Sequence, residues 1–75
     1  MRSREGPGEW ALTIRGQRRR RWTIEASMAT LERPLTVCAV EAQGGRLSGW
    51  RFDRRTAVLR VTLEARRGTL VARGC

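Results

Sequence analysis

The chain contains no histidine and no tyrosine, and it also lacks lysine and asparagine. Without an imidazole, neither a Ser-His-Asp nor a Cys-His nucleophile can be activated, and most zinc sites lose a ligand. Only two cysteines are present, Cys38 and Cys75, far apart and with no Cys or His neighbours to complete a metal shell. No run approaches the roughly 18 apolar residues of a membrane-spanning helix, and no hydrophobic segment follows the basic start as in a signal peptide. No membrane partner is expected, and a chain complete as given is expected to be cytoplasmic. No Gly-rich phosphate loop opens onto a helix. These absences predict a protein that is not an enzyme and holds no cofactor and no metal.

Acidic residues are scarce too. The carboxylates are Glu5, Glu9, Glu25, Glu32, Glu41, Asp53 and Glu64. General acid–base hydrolysis needs two of them held at a fixed separation in a pocket. Glu25, Glu41 and Glu64 instead fall at outward positions or ends of strands, as solvated charges beside arginines. Asp53 reads as a turn former whose carboxylate accepts backbone N–H groups.

What the chain has in excess is arginine. All sixteen basic residues are Arg, and the net charge is +9. Lys, Asn and Tyr have A/T-rich codons whereas Arg, Gly and Ala have G/C-rich ones, so a GC-rich genome accounts for the choice of Arg over Lys. It does not remove the charge. By counterion release such a charge gives weak, non-specific binding to nucleic acid at low salt. The arginines group as Arg18, Arg19, Arg20 and Arg21, as Arg54 and Arg55, and as Arg66 and Arg67. These are read as strand ends, where solvated charge needs no function. The alternative is an anion-binding end formed by Arg18, Arg19, Arg20, Arg21, Arg66 and Arg67, with Arg46 nearby in a simple meander.

Apolar residues alternate with polar ones along most of the chain, the period of a strand with one buried face. Trp10, Leu12 and Ile14 define a strand over residues 9–15, and Trp22, Ile24, Ala26 and Met28 a second. Residues 35–42 are apolar on both faces, as in a strand covered on two sides. Residues 50–52, 57–63 and 69–73 complete six strands, with turns at Gly44-Gly45, at residues 53–56 and at residues 66–68. One helical turn within residues 26–32 is compatible with propensity. Residues 1–8, carrying Gly-Pro-Gly and no apolar side chain after Met1, are expected to form a disordered lead-in. The prediction is all-β: a small antiparallel β-sandwich of about six strands over residues 9–75, joined by short hairpin turns.

The three tryptophans share the parity of apolar neighbours and are assigned to the core, which leaves no platform for sugar stacking. Trp22, beside four arginines, is the one expected to be partly exposed in a cation–π contact. With no export signal and Cys75 at the chain end, the cysteines are expected to be free thiols, Cys38 buried as a small hydrophobe.

Trp50-x-Phe52-Asp53-x-x-Thr56-x-Val58-Leu59-x-Val61-x-Leu63, followed by Gly68-Thr69-Leu70-Val71, resembles the C-terminal β-sandwich module of bacterial glycoside hydrolases, in particular those with α-glucosidase-like barrels. The likeness extends back through Trp22-Thr23-Ile24-Glu25-Ala26 and the Arg33-Pro34 loop. It implies a non-catalytic accessory module packing against a hydrolase barrel or another protein partner. Catalytic carboxylates sit on the barrel in such enzymes, so no catalytic residue is carried over. The alternative is a small basic β-barrel that binds nucleic acid or another polyanion.

Overall fold

The alternating segments on either side of residues 16–21 do not part into two strands. They continue as one. In the computed structural model, which describes residues 2–31 and 34–75, the strands are β1 (Arg2–Gly6), β2 (Glu9–Ser27), β3 (Val37–Gln43), β4 (Arg46–Asp53) and β5 (Val58–Gly74). All pair antiparallel in one open sheet ordered β1-β2-β5-β3, with β4 also on β5. β3 and β4 lie end to end along the same edge of β5, β4 beside its first half and β3 beside its second. The all-β class is as the sequence indicates. The six-stranded sandwich is replaced by one five-stranded sheet, because the predicted first and second strands fuse into β2 and the fifth and sixth into β5.

Nineteen residues of β2 at about 3.3 Å each would span about 60 Å if straight. The longest dimension of the whole molecule is 33 Å. The strand must therefore bend, and its register with β5 shows where. Arg15 faces Arg67 and Arg20 faces Ala65, so residues 16–19 lie opposite Arg66 alone. This bulge is the corner at which both long strands turn and bring the two arms of the sheet together. Trp10, Leu12, Ile14, Leu70 and Ala72 of one arm share a single core cluster with Leu59, Val61, Leu63 and Ala65 of the other. Inward parity on β5 changes from odd to even between Ala65 and Leu70, on either side of the corner.

Backbone close approach at the corner excludes side chains. A Cβ on Gly68 would stand 2.5 Å from the Gln43 carbonyl oxygen, and one on Gly45 would stand 2.8 Å from that of Glu64. The β3–β4 turn can press against the bend only because these positions are glycine.

Several expectations are corrected. Arg2–Gly6 is strand β1, paired residue for residue with residues 9–13 of β2, and not a disordered lead-in. The Gly-Pro-Gly turn supplies a hairpin, with Gly8 at φ 70°. Ala57 belongs to the turn before β5 and adopts φ 57°; its backbone carbonyl accepts from the Met28 N–H at 2.7 Å. A 3₁₀ turn, Met28–Thr30, occupies the stretch compatible with a helical turn and buries Met28. Met1, Glu32 and Arg33, and with them part of the Arg33-Pro34 loop and one candidate carboxylate, lie outside the described residues.

Cys38 and Cys75 are joined in a disulfide, with Cα atoms 5.3 Å apart, and are not free thiols. Cys38 is exposed rather than buried, in a bulge between Val37 and Ala39. The chain end does not fray, because Gly74 pairs with Val37 and its N–H donates to the Gly8 carbonyl at 2.8 Å. That pairing sets Cys75 beside Cys38. Closing a loop across a separation of 37 residues stabilises the fold by about 4 kcal/mol in the chain-entropy model. Urea unfolding with and without reductant is expected to show a loss of that order. An unchanged midpoint after complete reduction would refute it.

Candidate polyanion-binding corner

The predicted site residues are brought together, although not as hairpin tips. Arg18, Arg19, Arg20 and Arg21 lie within β2, and Arg66 and Arg67 within β5, on the two strands that bend side by side. All six are exposed. They keep strand geometry because each long strand supplies the other's hydrogen-bond partners on both sides of the bulge. The extra residues of β2 bow outward and carry their side chains into solvent.

Arg15 was not among the predicted residues, yet it stands directly opposite Arg67. Like charges at facing positions repel. Its placement follows from the corner's register, which the alternation of residues 9–15 does not report. Arg46 faces Glu64 across β4 and β5, on the flank of the group.

Carboxylates are distributed unequally around the molecule. Glu9 and Glu41 both pair with Arg73, at 3.9 and 2.5 Å, binding three adjacent strands together. Glu25 pairs with Arg60 at 3.2 Å, which offsets the facing Arg51. Asp53 is occupied with its turn, its Oδ1 accepting from the Arg55 N–H at 2.8 Å and the Thr56 N–H at 3.4 Å. At the corner Glu64 lies 3.9 Å from both Arg19 and Arg21. Among the described residues, Arg15, Arg18, Arg66 and Arg67 have no carboxylate within ion-pair distance.

Trp22 buttresses this surface from beneath. Its Nε1–H donates to the Ala65 carbonyl at 2.9 Å, next to the broken register. The indole covers Gly16, where a Cβ would stand 3.4 Å from Cζ2. The Arg20 guanidinium lies 4.0 Å from the ring centroid, the predicted cation–π contact. A ring held by a hydrogen bond and covered by guanidinium is not free to stack on a base or sugar. Trp10 is buried. Trp50 corrects the core assignment: it is 39% exposed, because the strand that carries it is an edge.

Among the described residues no group of three or more potential ligands could hold a metal. Among the described residues no helix is long and apolar enough to cross a membrane.

Trp22→Phe retains the ring and removes the N–H donor, leaving the Ala65 carbonyl without it. A loss of about 1 kcal/mol in unfolding free energy is expected, measurable by chemical denaturation. An unchanged stability would show that the hydrogen bond does not hold the corner.

Comparison with protein-family models, with curated proteins and with solved structures finds no match for the chain.

Proposed function

We propose that the chain is a non-catalytic β-module that binds the phosphate backbone of nucleic acid through its arginine corner. The observation that carries this reading is the facing pair Arg15 and Arg67, flanked by Arg18 and Arg66, with no carboxylate of the described residues in ion-pair distance. Composition explains why the basic residues are arginine. It does not explain why the acids gather elsewhere. A guanidinium array on a bent two-strand ridge offers planar, bidentate donors to phosphate oxygens. With Trp22 engaged internally, the binding has no stacking component and reads charge and spacing rather than bases.

The accessory-module reading is second. It draws on the resembled hairpin motif, in which the Asp53 side chain accepts from the backbone N–H groups of Arg55 and Thr56. Docking on a hydrolase barrel calls for an apolar face, and Trp50 is the large exposed apolar side chain available for one.

A charge-matched comparison separates the corner from bulk charge. Arg66→Ser with Arg67→Ser removes two charges at the corner, and Arg54→Ser with Arg55→Ser removes two at the far end of the same arm. Fluorescence anisotropy with labelled single-stranded and duplex oligonucleotides at about 0.15 M salt is expected to lose most binding in the first variant alone. The slope of log affinity against log salt for the single strand is expected to fall by about 1.4, at about 0.7 per lost phosphate contact. Equal effects of the two variants, or negligible binding by the parent, would overturn the reading.

A further inference from the structure

One arm of the sheet is formed by β1, the first part of β2, the last part of β5 and β3. Residues 9, 11, 13 and 15 of β2 alternate there with Trp10, Leu12 and Ile14 of the core, so they point to the outer face. Their partners on neighbouring strands share that face. One row is Arg4, Ala11, Val71 and Glu41, the next is Arg2, Thr13, Thr69 and Gln43, and the last is Arg15 and Arg67. The hairpin strand β1 thus sets two arginines on the same face as the facing pair at the corner. Both are exposed, and among the described residues no carboxylate lies within ion-pair distance of either. The outer face of the other arm differs. There Glu64 stands between Arg21 and Arg46, and Arg60 between Glu25 and Arg51, with both carboxylates in ion pairs.

We propose that a single-stranded nucleic acid lies across this face, its phosphates following Arg4 and Arg2 to Arg15 and Arg67 before the ligand turns over the corner at Arg66 and Arg18. The inference rests on the nucleic-acid reading above and adds to it two binding residues and the form of the ligand. Two positions along a strand span about 6.7 Å, and neighbouring strands lie about 4.8 Å apart. Successive arginines of the path therefore stand about 5–8 Å apart at their Cα atoms, close enough for long side chains to meet neighbouring phosphates of one strand. Between β1 and the corner the floor is short. Thr13 and Thr69 stand side by side there, and their hydroxyls can donate to phosphate oxygens. Glu9 and Glu41 are drawn to Arg73, at the end of the arm away from the corner.

The bend decides between a single strand and a duplex. The path runs along one face and then over a corner, in a molecule whose longest dimension is 33 Å. A duplex, with a persistence length of about 50 nm, is straight on that scale and meets a convex surface at one place. A single strand follows the turn. None of the residues that line the path carries an aromatic ring, so the strand is held by charge and hydrogen bonds without base stacking, and every sequence is held alike.

Fluorescence anisotropy with a labelled thymidine homopolymer and a labelled duplex, followed across salt concentrations, tests the path. Arg2→Ser with Arg4→Ser is expected to weaken single-strand binding at least about tenfold. The salt slope is expected to fall by about 1.4, at about 0.7 per lost contact, while duplex binding keeps most of its strength. A second variant holds the net charge fixed. Ser3 faces Leu12 and so lies on the other face of β1, and Ser3→Arg with Arg4→Ser moves one guanidinium there. It is expected to bind the single strand as weakly as Arg4→Ser alone, with the circular dichroism of the parent. Parent-like binding by either variant, or equal losses for duplex and single strand, would overturn the proposal. If Arg66→Ser with Arg67→Ser still loses binding in that case, the corner remains the site and only its extension over this face is refuted. If that variant also binds as the parent does, the nucleic-acid reading fails with it.

Discussion

The break in register between β2 and β5 is the constraint on which the rest depends. Four residues of one strand lie opposite a single residue of the other, from Gly16 to Arg19 against Arg66. A sheet with two such long strands and no bulge would be a twisted ribbon with one face wet. The extra residues let both strands turn, so that one inner face closes on itself and buries Ile14, Leu59, Leu63 and Leu70 together. A small domain buries a modest share of its surface, and closing a single sheet over itself lets a chain of this length build a core without a second sheet.

The same bend concentrates charge. Arginine tolerates a strand bulge because its long apolar stem lies along the surface while its head stays hydrated. Scattered over separate turns these residues would have little consequence, but placing them in adjacent strands at one corner sums their potentials. Trp22 connects the structural and electrostatic roles. It satisfies the Ala65 carbonyl beside the bulge, fills the space above Gly16 and carries Arg20 on its outer face. A change that loosened the corner would therefore scatter the arginines as well as open the core.

Class, strand direction and most of the core were legible in the alternation, since period-two patterning directly reports one buried face. Trp10, Leu12 and Ile14, like Leu59, Val61 and Leu63, lie inward as their parity requires. The turn at Asp53 and the contact of Arg20 with Trp22 were legible because both are local. Strand continuity was not. A run of four arginines resembles a solvated loop, and only the pairing of β2 with β5, a long-range property, keeps it extended. β1 was hidden for the same reason: Arg2–Gly6 has no apolar pattern of its own and is held by the backbone of β2. The disulfide depended on Gly74 pairing with Val37, which spacing between cysteines does not encode. Parity assigned Trp50 to the core and could not report that β4 is an edge, which leaves the ring 39% exposed.

Edge position and interior patterning conflict at Trp50, and the conflict has a direction. An inward residue on a central strand is covered by the strands on both sides, whereas on an edge it is covered on one. Edge strands are blunted by charge, short length or a bulge, and the edges here carry arginines, a short length or a bulge, β4 included, with its register break between Leu47 and Gly49. That break lets Leu47 and Trp50, three residues apart, both stand opposite buried residues of β5, Leu63 and Val61, while Gly49 falls opposite Thr62. The exposure of Trp50 therefore follows from its strand's place at the edge of the sheet and not from the pattern of its neighbours, which is that of a buried face.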